Sequence, residues 1–595
     1  MRLSPYTVAI GVVAAVITFF PALTDNLYYQ NMVILSLVFA ISAAGLNVIT
    51  GYTGYISLGQ GAFLGIGAYV CAILSQHVDV SPFVWVPLAG VVAAAVAMLL
   101  GLVTFRSRGP SFVIITIAFL FLVQFVATNW TSLTNGSAGI TMPLPDWDPA
   151  LGNWPFHLAL VVLLALSLVM SWWIRRTKFG MGLIAIREDE DKAGTIGVNA
   201  PVYKLLAFGA SALFVGMAGA VYGYYLTFVD PIGMFTILVS VQIVLSLILG
   251  GRGTLFGPVL GAFIIEPVNA VANNEFGGGN VRLLLFGALL VLLVLLLPRG
   301  ILPTVAGLPA RRRTRGTAGL TGARLEIAER PPPPAAPAPS GKVLLEVKGL
   351  AKSFGGLRAV DGCSFTVPEG SITGLIGPNG SGKTTVFNLI GGSMEGDGGE
   401  IWLDGRRIDR LPPWSRAHLG LGRTFQTTRL FNEMTALENV VAPLRDFSFG
   451  QLRLDGVSGA EAAKAQELLD FVGMGAYRDH PAGQLSYGQQ KLVELAQILV
   501  LDPRLILLDE PAGGINPTLI ERMGSLIREL NADGKTFLLV EHNMPFVLGL
   551  CDPIRVLAQG RCLAEGTPQE IQRDPRVVEA YLGDDYLLES TNGGR

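Results

Sequence analysis

Charged residues are few: Asp, Glu, Lys and Arg make up 15% of the 595 residues, against 51% hydrophobic. What charge there is collects beyond Leu297, in and after an Arg- and Pro-rich stretch, so a single uniformly soluble protein is excluded. Cysteine is scarce too. Cys71, Cys363, Cys551 and Cys562 share no metal-ligand or redox spacing, which fits a reduced, cytosol-facing second half. The net charge is only −2; it argues neither for nor against nucleic acid, and no nucleic-acid partner is expected. At this length two or three domains are expected, and each half is long enough to bury its own core.

The first half is rich in long apolar runs. Taking about 17–25 residues as a bilayer span, roughly ten can be placed: Tyr6–Leu23, Met32–Ile49, Ser57–Leu74, Val84–Phe105, Ser111–Asn129, Phe156–Ile174, Leu205–Phe228, Met234–Leu249, Leu255–Ala272 and Leu283–Leu297. Lys and Arg are missing from the connections Thr24–Asn31, Gln76–Ser81, Thr131–Pro155 and Val229–Gly233. The alternate connections hold Arg2, Arg106, Arg108, Arg175, Arg176, Lys178, Arg252, Arg299 and Arg311–Arg313, and Arg282 alone breaks the pattern. Basic residues collect on the cytoplasmic side, so both ends are expected there. The first run reads as a retained helix rather than a secretory signal, because it is long and no A-x-A-like site follows closely.

Three features of this half carry alternatives. Gly51–Tyr69 is dense in small residues, which either lets helix backbones pack closely or marks a broken helix lining a substrate route. Glu266 lies inside an expected span, where a packed contact or helix-end position is favoured over a proton- or substrate-linked role. The 175–204 region reads on charge density alone as a solvated loop. Beyond it, Arg311–Ser340 contains the Pro-rich run 331–339 and reads as an extended tether with its arginines near anionic lipid. The expected domains are 1–305, 306–342 and 343–595.

In the second half, Ser371–Ile376 reads as a strand and Thr385–Ile390 as the start of a helix. Between them stand Gly377, Pro378, Asn379, Gly380, Ser381, Gly382, Lys383 and Thr384, a phosphate-binding loop in the strand-to-helix setting it requires. Backbone N–H groups through Thr385 and the helix N-terminus would hold the ATP phosphates, with Lys383 on the terminal ones and Thr384 at magnesium. Leu505–Asp509 is an apolar strand ending in Asp509 and Glu510, an arrangement that puts Asp509 on magnesium and Glu510 beside an attacking water as general base. The fold expected is an all-α polytopic membrane domain of about ten helices joined to an α/β ATPase domain, with ATP and Mg2+ as cofactors.

Several runs resemble one family. Gly51–Tyr69 and Gly250–Pro258 look like segments of branched-chain amino acid ABC importer permeases. Asp191–Gly197 resembles their E-A-A-x-x-x-G coupling motif, with Lys192 in place of the usual Ala, and implies a short helix docked on the ATPase around Asp191, Ala193 and Gly197. Leu485–Gln489 resembles the L-S-G-G-Q signature of ABC ATPases with Tyr487 for the first glycine. The resemblance implies that Ser486, Gly488 and Gln489 complete a partner's ATP site in trans. It also implies that Phe354 stacks on adenine, that Gln426 links magnesium to the permease contact, and that His542 is the switch histidine. Asn516 stands where many ABC ATPases have Asp, which leaves an inter-subunit contact there open. Together with Val360–Gly362, Leu430–Val440, Ala564–Glu570 and Val578–Gly583, these runs make the chain similar to a LivM-type permease fused to a LivG-type ATPase.

The resemblance implies an ATP-driven importer of branched-chain or related amino acids in a bacterial inner membrane. Its partners would be a second permease and ATPase, either another copy or LivH- and LivF-type subunits, and an extracytoplasmic substrate-binding protein. Urea or short-amide import is the alternative within the class. An exporter or an ATP-dependent membrane sensor is the alternative outside it.

Overall fold

The computed structural model describes residues 5–105, 109–276, isolated positions from 284 to 300, 301–305, 341–443 and 456–581. Arg2, Arg106, Arg108, Arg282, Arg299, the expected tether and Leu582–Gly583 lie outside the described residues. Two compact units are present. One contains the residues up to Arg187 and those from Pro201 through Val305; the other contains Glu188–Ala200 and the residues from Gly341 onward.

In the first unit, helices Pro5–Thr18, Leu27–Leu46, Gln60–His77, Val86–Thr104, Pro110–Asn129, Trp154–Arg176, Ala200–Leu226, Ile237–Gly250 and Gly257–Phe276 each overlap an expected apolar segment. Six helical stretches among the described residues are long and apolar enough to cross a membrane. Helix is the form a lipid-embedded segment adopts because all its backbone groups are then satisfied within the segment. The region read as a solvated loop on charge alone is largely helical, with helices Lys178–Glu188 and Glu190–Thr195.

Gly51–Tyr69 contains both a break in the helix and close backbone packing. The chain leaves helical geometry at residues 54–59, where Gly54 has φ +80°, before helix Gln60–His77 begins. Within that helix a Cβ on Gly67 would lie 2.0 Å from the Gly216 carbonyl oxygen, and one on Gly219 would lie 1.9 Å from that of Leu64. The helices Gln60–His77 and Ala200–Leu226 therefore meet backbone to backbone, as small residues permit. The two glycine-rich runs also meet: a Cβ on Gly51 would lie 2.7 Å from the Gly253 amide nitrogen, and Asn47, just before the first run, donates to the Thr254 carbonyl at 2.9 Å and accepts from the Gly253 amide at 2.7 Å.

A two-residue strand β1 (Ile140–Thr141) pairs antiparallel with β2 (Phe228–Val229). Charge bias assigns Thr131–Pro155 and Val229–Gly233 to the same side, and this pairing joins them at one end of the unit. Glu266 is 2% exposed, and its carboxylate accepts from Gln242 and from Asn269. The helix runs on through Pro267, so Glu266 sits in a packed contact rather than at a helix end.

The second unit is built on two sheets. The strands are β3 (Val343–Phe354), β4 (Leu357–Pro368), β5 (Ile372–Ile376), β6 (Gly398–Leu403), β7 (Arg406–Arg407), β8 (Leu421–Arg423), β9 (Leu505–Asp509), β10 (Thr536–Val540), β11 (Ile554–Ala558) and β12 (Arg561–Gly566). Four of them form an antiparallel sheet in the order β4-β3-β6-β7, and six form a second in the order β12-β11-β5-β10-β9-β8. From β11 to β8 the second sheet is parallel. Every residue of β5, β9 and β10 is buried, the pattern of strands covered on both faces. Val386, Phe387 and Ile390 of helix Lys383–Gly391 share the core with Leu375, Leu507 and Leu538. The order β5-β10-β9-β8 lines up four carboxyl-terminal strand ends, the edge where ligands bind in α/β sheets.

Candidate ATP-binding and hydrolysis site

The glycine loop leaves β5 and ends at Gly382, the N-cap of helix Lys383–Gly391. Glycine is required at two places. Gly377 has φ +154° and its Cβ would meet the Leu557 carbonyl oxygen at 2.0 Å; Gly382 has φ +99° and its Cβ would meet that of Ala359 at 2.3 Å. Only a residue without Cβ lets the loop lie this close to the neighbouring backbone. Lys383 is buried, and its ammonium donates to the carbonyls of Gly377 at 2.7 Å and Pro378 at 2.8 Å. Pro378, Asn379, Gly380 and Ser381 form the loop between them, and the Gly560 amide braces it through the Ser381 carbonyl at 3.0 Å.

The adjacent strand ends bring three expected residues together, two of them onto the carboxylate of the third. Glu510 follows β9, His542 follows β10 and Gln426 follows β8. Gln426 Nε2 donates to Glu510 Oε1 at 3.0 Å, and His542 Nε2 lies 2.9 Å from the same oxygen. Glu510 holds φ +48°, an uncommon backbone geometry for a residue with a side chain. Its amide donates to the Val540 carbonyl at 2.9 Å, and its own carbonyl accepts from Lys491 and from the Gly513 amide.

Asp509 is 3% exposed, and its Oδ1 has no hydrogen-bond partner. Burial pushes its carboxyl up to about 6, with Arg423 acting in the opposite direction and Glu510 adding to the rise. Thr384, Asn388, Arg423, Gln426 and Asp509 line one polar cavity. A buried carboxylate oxygen without a partner, in the cavity that Thr384 also lines, fits a divalent cation. Among the described residues no group of three or more His, Cys, Asp or Glu is placed to hold a metal, so such a cation would rest on Asp509, Thr384 and phosphate oxygens.

The remaining expected residues stand on other elements. Phe354 is half exposed at the end of β3, and Thr385 is on the helix after the loop. Ser486 and Gln489 bind each other in a capping box at the start of helix Tyr487–Leu499, and a Cβ on the intervening Gly488 would meet Leu519 at 2.5 Å. Asn516 caps helix Pro517–Ala532 by accepting from the Leu519 amide at 2.9 Å. Asp191 lines the same cavity as Thr384 and Asp509. Ala193 is fully buried, and Gly197 has φ +92°.

Four contributors have no counterpart among the residues singled out from sequence. Glu541 accepts from the amides of Ala512 at 2.6 Å, His542 at 2.9 Å and Asn543 at 3.1 Å, so it ties the segment after Glu510 to the His542 turn. Thr424 accepts from the Asp509 amide at 3.2 Å. Arg423 and Lys491 bring buried cations beside Asp509 and Glu510. Burial lowers Arg423 to about 10 and also lowers Lys491. An acidic residue directly before His542 was the one available signal; the others depend on strand order.

A glycine loop on a helix N-terminus, with Asp509–Glu510 on the strand beyond β10, defines a P-loop ATPase cassette. The family model described as branched-chain amino acid transport system / permease component matches residues 28–294; that for ABC transporter matches 360–513; that for branched-chain amino acid ATP-binding cassette transporter matches 561–586. The high-affinity branched-chain amino acid transport ATP-binding protein BraF of Pseudomonas aeruginosa is 42% identical over 250 residues, 40% of this chain and 98% of that protein. LivG of Escherichia coli K12, with the same description, is 40% identical over 251 residues, again 40% of this chain and 98% of that protein. Among solved structures, the ADP conformation of an ATP-binding cassette of an ABC transporter is 35% identical, with a TM-score of 0.38, and the match covers 41% of this chain and 99% of that one. The chain belongs to the branched-chain amino acid ATP-binding cassette transporter family, with permease and ATPase in one polypeptide. Its ATP hydrolysis is coupled to transport.

Proposed function

We propose that this chain supplies one permease and one ATPase of an importer that carries branched-chain amino acids across the cytoplasmic membrane of a bacterium. The observation that carries the reading is the meeting of Gln426 and His542 on one oxygen of Glu510, in the unit that also contains Glu188–Ala200. The matches of branched-chain type at 28–294 and 561–586 support the substrate class from both halves. ATP phosphates bind the amides of Gly377–Thr385 and Lys383, and Phe354 stacks on the base. Thr384 and Asp509 would hold Mg2+, with Gln426 beside them, and the ion when bound would supply positive charge to the phosphoryl group. Glu510 takes the proton of the attacking water, and His542 orients the same carboxylate.

Ser486, Gly488 and Gln489 complete the site of a second ATPase. The assembly therefore contains either another copy of this chain or separate LivH- and LivF-type subunits, with an extracytoplasmic binding protein delivering substrate. Growth on leucine, isoleucine or valine as sole nitrogen source should be lost when the gene is deleted, and the neighbouring receptor should bind those amino acids. Retained growth on them with lost growth on urea or short amides would replace the substrate assignment.

Asp191, Ala193 and Gly197 form the coupling segment. A side chain at Gly197 must adopt a left-handed backbone at φ +92°, and a bulky one there crowds a segment whose Ala193 is buried, so repacking is costly. Gly197→Trp should keep ATP binding within about twofold, lose most receptor-stimulated hydrolysis and lower uptake at least ~10-fold, since overpacking costs about 1–3 kcal/mol. Unchanged uptake at equal assembly would remove the segment from coupling.

A further inference from the structure

The helix Glu190–Thr195 brings a lysine into the second unit's interior. Lys192 Nζ lies 2.7 Å from Glu494 Oε1, and the two side chains are 0% and 2% exposed. Asp189 caps this helix by accepting from the Lys192 amide at 2.9 Å, and Asp189 is itself paired with Arg429 at 3.1 Å. Gly194 on the same helix leaves Pro413 in ordinary contact, with 3.5 Å from a Cβ built at that position. The lysine is thus held by its own segment as well as by Glu494.

Glu494 stands one turn from Lys491 on helix Tyr487–Leu499, close enough for i,i+3 side chains to interact. Lys491 donates to the Glu510 carbonyl, and Arg423 Nη2 lies 3.9 Å from Asp509 Oδ2. Both cations also feel the charge of Glu494. Glu494, Lys491, Thr424, Phe425 and Asp509 line one small cavity. The Phe425 ring is approached by three cations: Lys192 at 5.2 Å, Arg423 at 5.1 Å and Arg429 at 4.7 Å from its centroid.

We propose that Lys192 is a positioning residue of the ATP site: by neutralising Glu494 it leaves Arg423 and Lys491 to hold the Asp509–Glu510 turn. Removing one member of a buried ion pair strands the other charge, which then seeks a new partner. Arg423 and Lys491, which already feel the charge of Glu494, are the two cations that serve the catalytic turn. An aliphatic residue at position 192 therefore displaces Glu510 from its geometry without touching the phosphate loop. Turnover in this chain depends on the Glu188–Ala200 segment being seated, because the segment carries the counter-charge. The inference rests on the ATPase assignment of the site but not on the identity of the transported solute.

ATP hydrolysis by the full-length assembled transporter in detergent tests it, with rates expressed per assembled complex. Lys192→Met should lower kcat about 10-fold or more, the order expected when a buried charge is left unpaired, while KM for ATP stays within about twofold. Lys192→Arg, which keeps the charge, should stay within about threefold of the parent. Lys192→Met combined with Glu494→Gln should recover kcat to within about threefold, because no stranded carboxylate remains. Glu510→Gln run alongside reports on the ATPase assignment itself. A purely structural pair would lower the yield of assembled complex and leave kcat per complex unchanged; that result, or a double variant as slow as Lys192→Met, would overturn the proposal.

Discussion

Glu510→Gln is expected to bind ATP as the parent does and to hydrolyse it roughly 100- to 1,000-fold more slowly, within the range lost when a general base is removed. The amide keeps the size of the carboxylate and can still contact Gln426 and His542, so the local packing around Oε1 survives. What it cannot do is accept a proton from the attacking water at neutral pH. The loop proposed to bind phosphate follows β5, two strands from β9, and is untouched. Equilibrium binding of a labelled ATP analogue and single-turnover phosphate release, both on the assembled transporter, separate the two effects. Phosphate release near the parental rate would take the base role away from Glu510.

Lys383→Ala should fail earlier, at binding. The Lys383 ammonium is buried against the carbonyls of Gly377 and Pro378, so the fold already directs a positive charge to the mouth of the loop. A charge-assisted contact to phosphate contributes about 1.5–3 kcal/mol, which at ~1.4 kcal/mol per decade corresponds to about 10- to 150-fold weaker Kd. The helix N-terminus and loop amides remain, so some nucleotide affinity remains with them. Titration of the variant with ATP checks the size of the loss. A Kd within twofold of the parent would place Lys383 outside the phosphate contacts.

Much of the fold was legible because its signals are local. Apolar runs marked the membrane helices, and the passage from Ile376 through the glycines to Lys383 marked a strand, a loop and a helix within a few residues. Lys178–Glu188 was hidden because charge density alone suggested a loop, and its glycines did not argue against one. Its Gly180 and Gly182 are close-approach points: a Cβ at Gly180 would lie 2.0 Å from the Ile174 carbonyl oxygen, and one at Gly182 would lie 2.4 Å from the Tyr203 ring. Glycine that admits a neighbour and glycine that bends a chain look alike in sequence.

The site was legible by a different route. Gln426, Glu510 and His542 are far apart along the chain and meet only because β8, β9 and β10 are adjacent in the sheet; the pair of carboxylates ending an apolar strand marked Glu510, while resemblance to a family picked out Gln426 and His542. The ion pair between Lys192 and Glu494 spans 302 positions, and no local pattern announces it. Arg423, Lys491 and Glu541 read in sequence as ordinary charges on a strand end, a helix and a turn. Burial gives them their importance, since a charge in a low-dielectric interior must find a partner.

ATP hydrolysis by this chain drives inward movement of branched-chain amino acids. Labelled leucine uptake into liposomes containing the assembled transporter, with ATP on the side of the ATPase unit and receptor on the other, measures it directly. Leucine should accumulate above its external concentration with ATP, and the accumulation should vanish with Glu510→Gln. Equal leucine entry with and without ATP, or export of preloaded leucine, would rule out ATP-driven import by this chain.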